Sequence, residues 1–327
     1  MYPKTQNLIL EQWQEGVYPG VIYCLMDEDK EITQVLGNSI SRPQPEKMTK
    51  NSLFDVASLT KVVCTTTVIL SLLEDGKIQL DSPLQVYLPD FRNGDITLRH
   101  LLTHTSDIVS WIEHRDQLDK ESLRQAYLQL SPGKNLGKKV KYTDSGMILL
   151  GFMIEEIFHR DVTDVFQSKV LMPLQMGHSF FSDVRSTGLA VGTQTGLTRG
   201  LTHDPKARIL AEHAANAGLF TTIDDLKNFV QMYFGQISLL QRKTILSLLN
   251  NYVPASEGQR SLGWELKDHQ QVLFHTGYTG TFLAIDPLGK QAFIFLSNRI
   301  HPYDHRQSYI KHRDCLLKCY LSEKREY

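Results

Sequence analysis

Strand-like segments lie at both ends of the chain and are rare in its middle. Short apolar or alternating runs bounded by turn residues are typical of β-strands. The runs occupy residues 21–26, 31–36, 263–266, 271–275, 281–285 and 291–297. The polar residues 27–30 between the first two runs predict a hairpin turn. Two strands from one end and several from the other imply one antiparallel sheet built from both ends of the chain.

Most of the remaining chain has the apolar periodicity of helices. Helices are predicted at residues 8–15, 58–74, 96–102, 120–130, 147–158, 163–171, 222–234, 239–250 and 305–321, with a loop rich in Gly and Thr at 188–200. This order predicts an α/β (α+β) fold, in which an antiparallel sheet is flanked by helices and a mostly helical domain is inserted. We expect residues 1–75 and 251–327 to form the sheet domain and residues 76–250 to form the helical domain.

Ser58 and Lys61 stand three residues apart where the helical segment 58–74 begins. Side chains at this spacing share one face of a helix. A serine hydroxyl is a weak nucleophile that needs a neighbouring base, and Lys61 would supply one. The positive end of the helix dipole favours negative charge on the serine oxygen, and together with burial it is expected to lower the pKa of Lys61. The alternative is a capping serine beside a solvated lysine.

Two later segments carry further polar groups at fixed spacing. Tyr142 and Asp144 stand two residues apart just before the helical segment 147–158. The triplet of His275, Thr276 and Gly277 stands beside a strand-like run, and its small residues offer backbone that a substrate can approach closely.

Taken in chain order, these motifs resemble those of the serine β-lactamase and penicillin-binding-protein superfamily. They are Ser58-x-x-Lys61, Tyr142-x-Asp144 and His275-Thr276-Gly277. The resemblance is strongest to the class C-like branch, which also holds D,D-peptidases, D-amino-acid-releasing peptidases and carboxylesterases. It extends from about residue 20 to residue 302 and includes the segments 96–106, 173–177, 217–222 and 298–302.

The resemblance implies a role for each of these residues. Ser58 would be the acylated nucleophile and Lys61 its proton acceptor. Tyr142 would carry a proton to the leaving group and activate the water that releases the acyl group. The backbone N–H groups of Ser58 and Tyr278 would form an oxyanion hole, which stabilises charge that develops in the transition state. Four residues are implied in substrate binding: Asp144, His275, Thr276 and Gly277.

The chain departs from the superfamily pattern at two positions. Asp144 stands where asparagine is usual, and an ionised aspartate accepts hydrogen bonds but donates none. A carboxylate beside Lys61 would also favour the ammonium form of that lysine. His275 stands where many members have lysine, and a histidine with an ordinary pKa is mostly neutral at pH 7. If His275 binds a carboxylate, affinity for acidic substrates should rise as the pH falls toward about 6.

Composition excludes several other classes of function. The net charge of -1 gives no global attraction to nucleic acid or anionic lipid. No apolar run approaches the roughly 20 residues of a membrane-spanning helix. The N-terminal segment lacks the pattern of a signal peptide, so we expect a cytoplasmic protein. The four cysteines are scattered and are expected to be free thiols, and no cofactor or metal site is predicted.

The sequence therefore predicts a serine hydrolase that acts through an acyl-serine intermediate. The absence of a Gly-x-Ser-x-Gly elbow argues against the α/β-hydrolase route to a reactive serine. We favour an esterase that acts on small acyl or D-alanyl esters. A D,D-carboxypeptidase or weak β-lactamase is a second possibility, and a penicillin-binding sensor or non-catalytic binding protein is a third. The expected partner is a small-molecule ester, a D-amino-acid peptide or a β-lactam, and the oligomeric state is left open.

Overall fold

A seven-stranded antiparallel sheet joins the two ends of the chain in the computed structural model of the protein. The structure describes residues 1–28, 30–181, 190–192 and 199–326. Asp29 of the predicted hairpin turn and most of the predicted loop 188–200 lie outside this range. The strands are β1 (Gly20–Asp27), β2 (Lys30–Ile40), β3 (Glu46–Lys47), β4 (Phe54–Asp55), β5 (Phe220–Thr221), β6 (Glu265–Lys267), β7 (Val272–Gly277), β8 (Thr281–Asp286) and β9 (Gln291–Ser297). The order in the main sheet is β3-β2-β1-β9-β8-β7-β6, and β4 pairs with β5 separately.

The central strands explain why the ends of the chain meet. β1 lies between β2 and β9, with Cys24 opposite Ile294 in the antiparallel register of β1 and β9. Successive side chains of a strand point to opposite faces of the sheet. Tyr23 accordingly joins a core on one face, while Cys24 joins the larger core on the other. The prediction of one antiparallel sheet built from both chain ends is confirmed.

Helices cover both faces of the sheet. The α-helices are α1 (Pro3–Gln14), α2 (Thr67–Glu74), α3 (Leu98–Leu102), α4 (Lys120–Leu128), α5 (Ser145–Phe158), α6 (Val162–Phe166), α7 (Pro205–Leu210), α8 (Ile223–Phe234), α9 (Arg242–Ser247) and α10 (Arg306–Lys324). α1 and α10 pack together against one face, where aromatic residues such as Phe293 and Tyr320 fill the core. The helices from the middle of the chain bury their apolar residues in the larger core, which also takes side chains from the other face of the sheet.

Several predicted boundaries differ from the observed ones. The predicted helix 58–74 is divided, because a π-helix spans Lys61–Thr66 and the α-helix begins only at Thr67. The predicted helix 163–171 likewise passes into a π-helix at Gln167–Leu171. The predicted helix 239–250 shortens to α9. The predicted division of the chain into two domains stays a prediction.

Within the described part of the chain, no helix combines the length and the apolarity that crossing a membrane requires.

Candidate active site

Ser58 lies on a tight turn between the end of β4 and the first helical residues. Ala57, just before it, has a φ of 47°, in the left-handed region that residues with a side chain rarely adopt. The backbone N–H of Ala57 donates to the carboxylate of Asp55 at 2.8 Å, and the N–H of Leu59 donates to the carbonyl of Val56 at 3.0 Å. These bonds hold the turn and leave the Ser58 side chain facing the cleft.

The carboxylate of Asp55 ties this turn to a second loop. It accepts hydrogen bonds from the backbone N–H of His203 at 2.6 Å and from the hydroxyl of Thr202 at 3.2 Å. Burial raises the pKa of Asp55 to about 6, although its hydrogen bonds from backbone N–H groups favour the ionised form. Asp55 is therefore a buried carboxyl group that titrates close to the neutral range.

Lys61 is fully buried directly behind the nucleophile. Its Nζ donates to Ser58 Oγ at 2.8 Å and to the backbone carbonyl of Asn216 at 2.7 Å. It also lies 2.7 Å from Oδ1 of Asp144. An ammonium group has three N–H donors, and each of them has an acceptor here. The predicted juxtaposition of Ser58 and Lys61 is thus present in the structure.

The charge state expected for Lys61 from the helix dipole and burial is wrong. Burial does act to lower the pKa of Lys61, but the carboxylate of Asp144 and the hydroxyl of Tyr142 outweigh it and raise the pKa above its ordinary value. Lys61 is therefore an ammonium at neutral pH. This agrees with the separate expectation that the carboxylate of Asp144 favours the ammonium form. A lysine in this state stabilises negative charge but cannot accept the serine proton.

Asp144 lies between two lysines and does not line the cleft beside Ser58. Its Oδ2 is 3.0 Å from Nζ of Lys206, which in turn is 2.8 Å from Oδ2 of Asp204. Burial acts to raise the pKa of Asp144, but Lys61 and Lys206 hold it below its ordinary range. Both carboxylate oxygens of Asp144 are thus engaged by protein cations. The structure shows Asp144 holding Lys61, and its role in direct substrate binding stays a prediction.

Asn216 connects the two ends of this series of charged residues, Lys61 and Asp204. The side-chain amide of Asn216 donates to Oδ1 of Asp204 at 3.2 Å, and its backbone carbonyl accepts from Lys61. Asp204 also accepts from the backbone N–H of Ala207 and so caps the start of α7. The alternating charges run from Lys61 through Asp144 and Lys206 to Asp204. This closed arrangement fixes the position of the lysine behind the nucleophile.

Tyr142 brings a phenol to the mouth of the site. It is 45% exposed and lines the same cleft as Ser58. Its ring packs on that of His104, with ring centres 4.4 Å apart, and Nζ of Lys61 lies 5.4 Å from its ring centre. The three predicted catalytic side chains therefore converge from segments that are far apart in the sequence.

The end of β7 packs against the nucleophile turn. Gly277 has no room for a side chain, because a Cβ would come closer than 3.0 Å to the carbonyl oxygen of Val56. The hydroxyl of Thr279 donates to the carbonyl of Asp55 at 2.6 Å. The N–H groups of Ser58 and Tyr278 donate to no other residue among those described. Two unused backbone donors thus border the cleft, as an oxyanion hole requires.

His275 is more deeply buried than a residue predicted to bind substrate was expected to be. It is buried, and its Nδ1 lies 3.0 Å from the carbonyl oxygen of Thr276. Burial, followed by the nearby cations Lys61 and Arg260, holds the pKa of His275 well below its ordinary value. The expectation that His275 becomes a cation near pH 6 is therefore wrong. His275, Thr276 and Gly277 do line the cleft, so contact with a substrate stays a prediction for them.

The cleft has a volume of about 270 Å³ and is rich in arginine. Arg260, Arg299, Arg306 and Arg313 all line it, whereas Glu265 is the one acid among the described residues of its wall. Sequence reasoning missed all four arginines, because they come from the approach to β6, from the segment after β9 and from α10. No spacing in the sequence connects these segments.

A separate cluster of polar residues has the composition of a metal site. Within the described ranges, ligand atoms of Glu155, Asp161 and His213 lie close enough together to share an ion. The carboxylate of Glu155, however, already accepts from the N–H of Val162 at 3.0 Å and from Arg124 at 2.5 Å, and lies 2.6 Å from Nδ1 of His213. These bonds account for the cluster, so we assign no metal to it.

Comparison with known proteins decides the family. The beta-lactamase family model matches residues 5–316, which is nearly the whole chain. The chain belongs to the beta-lactamase family. The resemblance inferred from the three motifs is thereby confirmed, and the protein is a serine hydrolase with the fold of that family.

One relative and two solved structures show the likeness at low sequence identity. One relative is a protein of Escherichia coli O157:H7 that carries the provisional name D-alanyl-D-alanine carboxypeptidase. It is 24% identical over 357 aligned positions, which cover 89% of this chain and 81% of the relative. A class C beta-lactamase structure has a TM-score of 0.77 at 21% identity and covers 96% of this chain and 94% of its own. The structure of EstCE1, described as a hydrolase with promiscuous acyltransferase activity, has a TM-score of 0.78 at 19% identity. The match covers 96% of this chain and 97% of EstCE1. The structural likenesses confirm the predicted fold.

Proposed function

We propose that this beta-lactamase-family chain is an ester hydrolase in which Ser58 forms the acyl-enzyme. The observation that carries the proposal is the 2.8 Å hydrogen bond from Lys61 Nζ to Ser58 Oγ, at the wall of a cleft that also presents Tyr142. The unused N–H groups of Ser58 and Tyr278 border that cleft and would bind the developing oxyanion.

In this proposal Tyr142 reacts as the phenolate and takes the serine proton, whereas Lys61 does not. The ammonium of Lys61 has no free lone pair, whereas its charge stabilises a phenolate or an alkoxide beside it. Ser58 Oγ attacks the carbonyl carbon, the bond to the leaving alkoxide breaks, and Tyr142 returns the proton to that oxygen. A water molecule then gives a proton to Tyr142 and attacks the acyl carbon. The bond from that carbon to Ser58 Oγ breaks, and Tyr142 passes the proton to Ser58 Oγ as the carboxylic acid leaves.

Asp144 favours esters over amides and β-lactams as substrates. An asparagine at this position could donate a hydrogen bond to a substrate carbonyl, whereas the carboxylate donates none and is occupied by Lys61 and Lys206. An ester has a better leaving group and tolerates weaker help from acid and base. The described activity of EstCE1 as a hydrolase with acyltransferase activity is consistent with this choice.

A D,D-carboxypeptidase is the second candidate. It is favoured by the arginine-rich cleft, which suits a substrate with a carboxylate, and by the provisional name of the Escherichia coli relative.

A substrate panel tests the proposed function. Chromogenic esters, D-amino-acid amides, a D-alanyl-D-alanine peptide and a cephalosporin are compared with the parent protein and with Ser58→Ala. We expect ester turnover that Ser58→Ala abolishes. Faster turnover of the D-alanyl-D-alanine peptide would replace the esterase by the second candidate. A stable cephalosporin adduct without turnover of any substrate would indicate a sensor.

Substitution of Asp144 tests the basis of the ester preference. Asp144→Asn supplies an amide donor and removes the carboxylate that holds Lys61 in its charged form, so acylation by a β-lactam should rise about tenfold. The measurement is the acylation rate with a chromogenic cephalosporin, compared with the rate on an ester. An unchanged ratio of the two rates would count against this role for Asp144.

A further inference from the structure

Asp55 joins the turn that carries Ser58 to three other parts of the chain. It is buried at the end of β4, and this strand pairs with β5. Its carboxylate bonds to Ala57 on the turn and to the segment 202–203. Its backbone carbonyl accepts from the hydroxyl of Thr279, which follows β7, at 2.6 Å. One residue therefore fixes four neighbouring segments relative to the nucleophile.

The segment 202–203 continues directly into the charged residues behind the nucleophile. The next residue, Asp204, lies 2.8 Å from Nζ of Lys206. Lys206 lies 3.0 Å from Asp144, and Asp144 lies 2.7 Å from Nζ of Lys61. A displacement of the segment would pass along these contacts to Lys61. The buried carboxylate thus supports the nucleophile from two sides, through the turn and through the residues that hold the lysine.

The hydrogen bonds of the Asp55 side chain require the ionised form. Its Oδ1 accepts from the N–H of Ala57, while its Oδ2 accepts from the N–H of His203 and the hydroxyl of Thr202. A carboxylate only accepts, so it matches these donors. A proton on Oδ2 needs an acceptor, and a hydroxyl can turn to become one, whereas a backbone N–H cannot. Protonation therefore breaks the bond to His203.

The charges around Asp55 bring this protonation within reach of moderate pH. Burial raises the pKa of Asp55, and the negative charge of Asp204 acts in the same direction. Burial also lowers the pKa of His203, so its ring is neutral at pH 7. The ammonium of Lys61 is directed to other acceptors. The neighbours from β5 and from the turn after β7 are uncharged at neutral pH, namely Phe220, Tyr278 and Thr279.

We propose that Asp55 is a positioning residue for Ser58, and that only its carboxylate form holds the turn and the segment 202–203 in the reactive arrangement. A proton taken from solvent onto Oδ2 releases the N–H of His203 and loosens the support of Ser58. The inference rests on the proposed function, because it concerns acylation of that serine. It makes acylation depend on a group that does not line the cleft.

The test is the rate at which a fluorophosphonate labels Ser58 from about pH 5 to about pH 8. Asp55→Asn has the shape of the protonated carboxyl group and, like it, carries both a donor and an acceptor. At about pH 8 the parent should react at least about tenfold faster than the variant, the factor expected from one hydrogen bond to a charged group. As the pH falls through about 6, where Asp55 takes up its proton, this ratio should fall toward one. Dividing the two rates cancels the pH dependence of Tyr142, which both proteins share.

Asp225→Asn is the matched control. The buried carboxylate of Asp225 likewise accepts from a backbone N–H, that of His178 at 2.8 Å, and from a hydroxyl, that of Ser179 at 2.6 Å. None of these three residues lines the cleft. The ratio of the parent rate to the Asp225→Asn rate should therefore stay near one at every pH.

Thr202→Val keeps the proposal testable if Asp55→Asn fails to fold. Valine has nearly the shape of threonine, and the substitution removes a hydroxyl that favours the ionised form of Asp55. The pKa of Asp55 should rise as a result. The fall in labelling rate that Asp55 causes should then move to higher pH, by about half a unit to one unit.

Two outcomes would overturn the inference. One is a ratio between the parent and Asp55→Asn that is the same at every pH, as a merely structural role predicts. The other is an unchanged pH dependence of labelling in Thr202→Val. Failure of the proposed function looks different, because then Ser58 of the parent stays unlabelled at every pH.

Discussion

At the scale of single residues, the site is governed by the charge on Lys61. A buried lysine usually loses its proton, because burial disfavours the charged form. Here the neighbouring Asp144 reverses that tendency, and Lys206 and Asp204 extend the alternation of charge. Removing one partner from a buried ion pair costs several kcal/mol, so the members of this chain depend on one another. The proposed mechanism therefore keeps Lys61 as an ammonium and gives the proton transfer to Tyr142.

Asp55 makes the free energy of unfolding depend on pH, in the direction opposite to that usual for an aspartate. Its pKa is raised to about 6 in the folded protein, against about 3.9 for an aspartate in an unfolded chain. Between these two values the folded protein binds more protons than the unfolded chain. This group therefore makes the free energy of unfolding fall as the pH rises from about 4 to about 6. We expect its contribution to amount to about 1–3 kcal/mol.

The measurement is urea unfolding of the parent and of Asp55→Asn from about pH 4 to about pH 7. Subtracting the variant removes the contributions of the other titrating groups, which both proteins share. The free energy of the parent, relative to the variant, should fall with pH across this range and level off above it. A difference that rises with pH would show that Asp55 titrates below its ordinary value.

At the scale of elements, the site depends on the contact between the end of β7 and the turn that carries Ser58. Gly277 is the closest point of that contact, because its position leaves no space for a Cβ beside the carbonyl of Val56. Gly277→Ala should push the strand end away from the turn and displace the N–H of Tyr278. Loss of an oxyanion donor costs on the order of 10²–10³ in rate. We expect kcat on an ester to fall by about that factor.

Gly177→Ala is the control for this substitution. A Cβ at Gly177 would meet no atom within 4 Å, so this variant should retain the kcat of the parent. If Gly277→Ala stays within about threefold of the control, the N–H of Tyr278 does not serve as the oxyanion donor.

The sequence predicted strands best where an apolar run ended at turn residues. The hairpin of β1 and β2 and the strands β8 and β9 were found because apolar runs ended at turn residues. The π-helix at Lys61–Thr66 was not foreseen, because its side chains are as apolar or as small as those of an α-helix. No local apolar pattern in the sequence separates this π-helical turn from the α-helix that follows it.

At the scale of the whole molecule, the two ends of the chain are locked together by Glu323. This buried residue of α10 accepts from the backbone N–H groups of Lys4 at 2.8 Å and of Thr5 at 2.9 Å, and from the hydroxyl of Thr5 at 2.8 Å. A carboxylate at the N-terminus of α1 also interacts favourably with the helix dipole. Glu323→Ala should lower the free energy of unfolding by about 3–5 kcal/mol, because it leaves buried donors unpaired.

Glu326→Ala provides the comparison, because Glu326 pairs with Lys4 on the surface and is half exposed. Exposed ion pairs contribute about 0–1 kcal/mol, so this variant should be nearly as stable as the parent. Urea unfolding measures both variants. Equal losses of stability would mean that the contact of α1 with α10 does not depend on the buried carboxylate.

The three proposed catalytic residues could be predicted from the sequence, whereas the charges around them could not. Ser58, Lys61 and Tyr142 belong to short motifs of fixed spacing, and a motif carries its geometry with it. Lys206 and Arg260 belong to no motif, and they reach the site only because the sheet and helices bring distant segments together. The same limit explains the two errors of charge, since the pKa of Lys61 and that of His275 depend on burial and on neighbours far away in the chain.

The central claim is that Ser58 is the residue that becomes acylated, with Tyr142 handling its proton. Labelling by a fluorophosphonate, followed by mass spectrometry of the digested protein, tests it most directly. We predict that the label is found on the peptide containing Ser58 in the parent, that Tyr142→Phe labels at least about tenfold more slowly, and that Ser58→Ala is unlabelled. Label on another serine with Ser58 unmodified, or undiminished labelling of Ser58→Ala, would contradict the account.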